Sequence, residues 1–169
     1  MKGSVHQGIA GLNPYRPGKP VDELTRELGI TDIIKLASNE NPRGPGERVR
    51  RALAAATELS RYPDGSGHHL KHALAAHLNV DTSQHTLGNG SNDVLDLAAR
   101  VTLLPGREAI VSEHAFVVYR LATASTGGVL VEVAAKDYGT DLDGMLDAIT
   151  DRTSIIFFAN PNNPTGTWV

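Results

Sequence analysis

Two short runs in this 169-residue chain hold the residue types that grip a small polar ligand. The first is Gly88-Asn89-Gly90-Ser91-Asn92-Asp93. Its glycines let the backbone come close to a ligand, and a helix starting there offers free amides, the Ser91 hydroxyl and its positive dipole end to an anion. A phosphate would fit; Ser91 serving only as a helix cap is the simpler alternative. The run breaks the G-x-G-x-x-G spacing of a dinucleotide site, and no GK[ST] follows to make a Walker loop. The second run is Asn160-Pro161-Asn162-Asn163-Pro164-Thr165-Gly166. Its two X-Pro steps are expected to hold the backbone extended and turned, leaving the amides of Asn162 and Asn163 free for a polar ring substituent. An isolated Asn-Pro or Pro-Thr-Gly would be a surface turn.

Both runs sit at the carboxyl ends of expected strands, where open α/β sheets place ligands. From residue 85 the pattern alternates: strand His85–Leu87, helix Asn92–Leu104, strand Glu108–Ser112, helix Ala115–Ser125, strand Val129–Val133, helix Leu142–Ile149 and strand Ser154–Ala159. Such alternation predicts an α/β fold with a mainly parallel sheet, right-handed crossovers and helices on both faces. Upstream, residues 1–20 carry Pro14, Pro17 and Pro20 and read as an arm without a core of its own. Val21, Leu24 and Leu28 follow the helical period up to Gly29, and Ile33–Ala37 reads as a short strand. Two helices are expected next, Glu47–Leu59 with Val49, Leu53 and Ala56 inward, and Ser66–Leu78 with Leu70, Leu74 and Leu78 inward. The domain reading is therefore 1–40 as arm and short strand, and 41–169 as the beginning of a larger α/β domain.

Composition narrows the classes. A hydrophobic content of 40% with 21% charged residues is that of a soluble globular protein. A net charge of −3, with acids and bases intermixed, gives no basic stripe for nucleic acid and no polybasic membrane patch. With no cysteine, disulfides, thiolate nucleophiles and cysteine-ligated metals are excluded. No signal-like or transmembrane-length apolar stretch is evident, and a cytoplasmic location fits.

Further stretches sharpen the reading: SNENPRGP at 38–45, RYPDGSG at 61–67, TLGNGSNDVLDL at 86–97, Phe116 after Glu113-His114-Ala115, KDYGTDLDGML at 136–146 and NPNNPTGT at 160–167. On these the chain resembles the histidinol-phosphate aminotransferase family, fold-type I enzymes that use pyridoxal 5′-phosphate. The resemblance implies that Ser91 and Asn92 hold the cofactor phosphate and that Tyr62 reaches the same phosphate in the neighbouring subunit of a homodimer. It implies that Phe116 stacks on the pyridine ring, that Asn163 donates to the ring oxygen, and that Tyr15 and Asn41 lie near the substrate. The substrates implied are the amino-phosphate histidinol phosphate and 2-oxoglutarate. His114-Ala115 stands where many relatives have Pro-Thr or Pro-Ser before the aromatic.

In that family the Schiff-base lysine, the aspartate paired with the pyridine nitrogen and the arginine that clamps the substrate carboxylate lie beyond the second run. None is in this sequence, so the chain alone is expected to be a fragment that does not turn over. The five lysines present, Lys2, Lys19, Lys35, Lys71 and Lys136, read as surface residues. Related readings are a threonine-phosphate decarboxylase, an aromatic aminotransferase, or a truncated, non-catalytic binding or pairing module. His68 and His72, at i and i+4 among His69 and His77, have a spacing that can bind zinc, but no further ligand completes a motif. The acids Asp137, Asp141, Asp143, Asp147 and Asp151 lack the glycine and glutamate of a calcium loop.

Overall fold

In a computed structural model, residues 7–13, 15 and 17–169 are described. Lys2, Pro14 and most of the expected arm's first half lie outside them. Along the chain run α1 (Gln7–Ala10), α2 (Val21–Leu28), α3 (Glu47–Ala55), α4 (His68–Leu78), α5 (Ser91–Thr102), β1 (Glu108–Ser112), α6 (Val117–Ser125), β2 (Val129–Val133), α7 (Leu142–Asp147) and β3 (Thr153–Ile156). They fall into two units, one of Met1–Pro14 with Ser83–Val169 and the other of Tyr15–Thr82.

The first unit is built on a three-stranded sheet in the order β2-β1-β3, parallel at both pairings. β1 lies in the middle and is buried along its whole length, as a parallel strand with both faces covered must be. The register sets Ala109 beside Leu130 and Ile155. On that face Ala109 and Val111 pack with Ala99 of α5, Leu103 just past its end, Tyr119 and Ala122 of α6, and Phe157. Tyr119 stacks on Phe157 with ring centres 4.8 Å apart, and burial raises its phenol pKa. An ion pair from Arg120 of α6 to Glu132 of β2 closes the flank. The other face receives α7, whose Met145 is buried. α7 comes so close there that a β-carbon on Gly144 would stand 3.1 Å from Val133 Cγ1.

Polar groups fasten the amino edge of the sheet. The Glu108 carboxylate, almost wholly buried, accepts from Arg152 Nε at 2.7 Å and from the Thr150 hydroxyl at 2.5 Å. Arg107 donates to Ser154 Oγ at 2.8 Å and to the Asp151 carbonyl at 2.9 Å.

Three expected strands differ. His85–Leu87 follows a 3₁₀ turn over Thr82–Gln84 and joins no sheet among the described residues. Ile33–Ala37 is likewise not a strand; Ile34 and Leu36 are 81% and 92% exposed. Each has strand-forming residues but no neighbouring strand to bond with, and a strand exists only as a pairing. β3 stops at Ile156 rather than Ala159. The Phe157 amide still reaches the Ile110 carbonyl, and past the end of β1 the Glu113 amide bonds the Val133 carbonyl.

The second unit holds α2, α3 and α4, and none of the three helices buries a residue. α2 stops at Gly29 as expected, with φ +68°. α4 starts at His68 rather than Ser66, because the Asp64 carboxylate bonds the amides of Ser66 (2.9 Å) and His68 (3.1 Å) and holds the preceding turn. The Ser66 hydroxyl, which donates to Asp64 Oδ2 at 2.7 Å, and then those two amides lower the Asp64 pKa. Most of the residues expected inward are bare: Val49, Leu53, Leu70 and Leu78 are each at least half exposed, while Leu74 is half-buried. The helical period gives the apolar side of a helix, not what covers it. No helix among the described residues is long and apolar enough to cross a membrane.

Two outcomes follow from this packing. Phe157→Ala, removing the ring between β1 and α6, should cost about 3–5 kcal/mol in urea unfolding, whereas Leu146→Ala, at an exposed site, should cost under about 0.5 kcal/mol. Glu108 has its pKa held below the ordinary 4.5, by the Thr150 hydroxyl first and then Arg152. A carboxylate with a depressed folded pKa stabilises above its unfolded value, and that contribution is lost as pH falls through the folded value. Thermal melts of Glu108→Gln should thus be lower than those of the parent at pH 7, with the difference shrinking below pH 4.5. Parallel melting curves across that range would remove Glu108 as the source.

Candidate functional site

The loop before α5 folds back over the helix it starts. A β-carbon on Gly88 would lie 2.9 Å from Asp93 Cβ and 3.0 Å from Val94 Cγ2, so only glycine lets the backbone rest on the first turn. The Asn89 amide donates to Asp93 Oδ2 at 2.8 Å. Gly90, at φ +84°, is the N-cap and Ser91 the first helical residue, with no side chain capping the turn. Ser91 as a cap is therefore not what forms. Ser91 and Asn92 are exposed at the start of a 12-residue helix, an arrangement of donors and dipole suited to an anion.

Phe116 is the residue on which α6 begins. It follows β1 through the turn 112–115, closed by the Ala115 amide on the Ser112 carbonyl at 3.1 Å. The ring is half-buried, edge-on to Tyr119 at 6.0 Å. It packs against the same cluster as Leu95, one turn into α5. The start of α5 and the ring of Phe116 thus sit about one apolar cluster at the carboxyl end of β1.

The loop after β3 is not extended. Both of its X-Pro bonds are cis, and it closes through the Asn162 amide on the Thr167 carbonyl and the Gly166 amide on the Asn162 carbonyl, each 2.8 Å. The Asn162 amide is therefore committed within the loop, which corrects the expectation that it faces a ligand. Asn160 and Val169 exchange two side-chain-to-backbone bonds at the loop's base. Asn162 is 6% exposed. Its side-chain nitrogen donates to the His114 carbonyl at 3.0 Å and the Thr165 hydroxyl at 2.8 Å. The Thr165 and Thr167 hydroxyls are 2.8 Å apart, and Thr167 donates to the Tyr138 carbonyl at 3.1 Å. Asn163 is half-buried beside them.

Tyr138 and Asp137 sit at φ +62° and +50° in a two-residue turn whose flanks, Lys136 and Gly139, bond each other. The Tyr138 ring stacks on His114, centres 5.2 Å apart and 24° between planes. His114 carried no argument in sequence, and the Asn162 side chain none beyond its backbone amide. A polar residue inside a turn motif gives no sign of being buried, and stacking across two loops has no local signature.

Ser91, Asn92, Phe116 and Asn163 thus belong to one unit, while Tyr15, Asn41 and Tyr62 belong to the other. Asn41 builds its own turn, accepting from the Arg43 amide at 3.0 Å. Tyr62 is fully exposed and Tyr15 about half. The described lysines are mostly paired: Lys19 with Glu23 and Glu27, Lys35 with Glu40, and Lys136 with Asp141. The bond to Asp141 raises the Lys136 pKa, the reverse of what a nucleophilic amine needs. Asp141 is lowered in turn, first by Lys136 and then by the Gly144 amide. His68 and His72 lie with ring centres 4.0 Å apart, yet no group of three metal-binding side chains occurs among the described residues.

Over 166 residues the chain is 55% identical to histidinol-phosphate aminotransferase 1 of Idiomarina loihiensis, covering 98% of this chain and 45% of that protein. It is 56% identical over 164 residues to histidinol-phosphate aminotransferase 2 of Pseudomonas aeruginosa, covering 95% and 44%. The chain therefore spans less than half the length of these curated relatives. Among solved structures, the histidinol-phosphate aminotransferase of Sinorhizobium meliloti in complex with pyridoxal 5′-phosphate superposes with a TM-score of 0.85 at 29% identity, over 98% of this chain and 44% of that one. An aspartate aminotransferase of Thermus thermophilus superposes with a TM-score of 0.79 at 27% identity, over 99% and 47%. Residues 31–169 match the family model described as aminotransferase class I and II, and with the parallel sheet and loops above, the chain belongs to that family.

Proposed function

We propose that the chain is the amino-terminal part of a histidinol-phosphate aminotransferase, a cytoplasmic homodimer that moves the amino group between histidinol phosphate and 2-oxoglutarate with pyridoxal 5′-phosphate. In this reading residues 1–40 are its arm and 41–169 the first half of its cofactor-binding domain. The observation that carries it is the pairing of a glycine-built helix start at Ser91 with an aromatic ring, Phe116, on one apolar cluster at the carboxyl end of β1. Similarity to two aminotransferases of that name supports the substrate.

The residues fit the cofactor. Gly88 lets the backbone rest on the first turn of α5, where a β-carbon would collide with Asp93 and Val94, and the amides of Ser91 and Asn92 with the Ser91 hydroxyl form a donor set for a phosphate. When bound, the cofactor supplies an electron sink for the bond broken at the amino-bearing carbon. Phe116 presents an aromatic face to hold the ring in place, and Asn163 donates to the ring hydroxyl oxygen. Tyr62, fully exposed here, reaches the phosphate of a partner subunit, and Tyr15 and Asn41 approach the substrate. The bare apolar sides of α3 and α4 support association with further protein surface.

Chain 1–169 should show no transamination of histidinol phosphate at saturating pyridoxal phosphate, since none of its described lysines is placed as an unpaired base at the loops. Borohydride should trap no cofactor on it. Turnover on the order of 1–10 per second, an ordinary enzyme rate, would sink the reading of the chain as a part.

Cofactor binding separates the phosphate residues. In equilibrium dialysis Ser91→Ala should weaken pyridoxal phosphate about tenfold, the worth of one charge-assisted bond, at any protein concentration. Tyr62→Phe should do so only where sedimentation shows a dimer. An equal effect of Tyr62→Phe on the monomer would place its action within its own subunit.

A further inference from the structure

We propose that Asn162 is the positioning residue that sets Phe116 relative to Asn163, by closing a ring of contacts through all three loops at the carboxyl edge of the sheet. The proposal rests on the reading above, in which these two residues hold opposite parts of one cofactor ring.

The ring can be traced residue by residue. One Asn162 side-chain hydrogen goes to the His114 carbonyl, two residues before Phe116. The other goes to the Thr165 hydroxyl, which neighbours the Thr167 hydroxyl. Thr167 in turn donates to the Tyr138 carbonyl, and the Tyr138 ring stacks back on His114. Proton count fixes the direction. Each threonine has one hydroxyl hydrogen and Thr167 spends its own on Tyr138, so Thr165 must donate to Thr167 and accept from Asn162. Only a side chain with two donor hydrogens on one atom can feed Thr165 and His114 together, as an amide does.

Asn162 also holds the loop internally, since its backbone amide and carbonyl bond Thr167 and Gly166. His114 is therefore gripped at its carbonyl by Asn162 and at its ring by Tyr138. Beyond it, only Ala115 separates the grip from Phe116. On the other side Asn163 is bonded directly to Asn162 along the chain. A shift of Asn162 thus moves the aromatic and the donor together. Burial to 6% exposure makes loss of either donor costly, because the carbonyl left behind has no water to replace it.

The test compares the parent chain with Asn162→Asp, which keeps the shape but offers an acceptor where His114 and Thr165 need donors. Ile110→Val, in the core of β1, is the control for general destabilisation. Two measurements are made: nuclear magnetic resonance cross-peaks between the Phe116 and Tyr119 rings in the unliganded chain, and equilibrium dialysis with pyridoxal 5′-phosphate. Asn162→Asp should lose the ring cross-peaks and weaken binding about tenfold or more, while Ile110→Val should keep both.

Retention of the cross-peaks and of affinity within about twofold in Asn162→Asp overturns the proposal. So does an equal loss in Ile110→Val, since the effect is then one of stability alone. If the parent binds no pyridoxal phosphate yet Asn162→Asp displaces Phe116, the positioning stands and the cofactor reading fails. Should Asn162→Asp not fold, Thr165→Val decides, because it keeps the shape but removes the hydroxyl that accepts from Asn162, and so opens the ring while leaving Asn162 in place. Loss of cross-peaks and affinity in that variant supports the proposal, and their retention in a folded Thr165→Val overturns it.

Discussion

A strand paired in parallel on both sides imposes a direction on everything around it, and β1 is such a strand. Parallel neighbours cannot be joined by tight hairpins, so each must return by a crossover along the sheet. All three strands then end at one edge, and the loops that leave them meet there. The turn into Phe116, the Asp137-Tyr138 turn and the loop of Asn162 lie at that edge because β1 is central. The price is a strand that must be apolar on both faces, and Ala109, Ile110 and Val111 are nearly without exposure.

The two edges of the sheet use different chemistry. At the amino edge, charged groups fasten strand to turn: Glu108 with Arg152, and Arg107 across Ser154 and Asp151. At the carboxyl edge neutral donors from Asn162, Thr165 and Thr167 join the loops, beside the Glu113 carboxylate, which accepts from the Ala135 amide at 3.1 Å, and the Lys136–Asp141 ion pair.

Sequence pattern gave β1 and β2 to the residue and the α/β class outright, because alternating helices and short apolar runs of this kind have few solutions. It failed where a segment's state depends on a neighbour that pattern cannot supply. Ile33–Ala37 and His85–Leu87 have strand composition and no partner strand, and Leu53 and Leu70 have helical spacing and no cover. Ser91, Asn92 and Asn163 were singled out by their two runs and Phe116 by the family resemblance, and the structure places all four in one unit. Asn162 was read the wrong way round, its amide expected to face outward. A buried asparagine and an exposed one look the same in a polar turn, and only the carbonyl of His114, 48 residues earlier, tells them apart.

The chain has a single tryptophan, Trp168. It is flanked by Thr167, whose hydroxyl reaches Tyr138, and by Val169, pinned at both backbone groups to Asn160. The indole itself is 79% exposed, so its backbone is held while its ring samples solvent. Indole emission shifts with the polarity around it and is quenched by nearby chromophores that absorb its light. The loop thus carries an indole whose emission reports how exposed that segment is, with no second tryptophan in the chain to blur the signal.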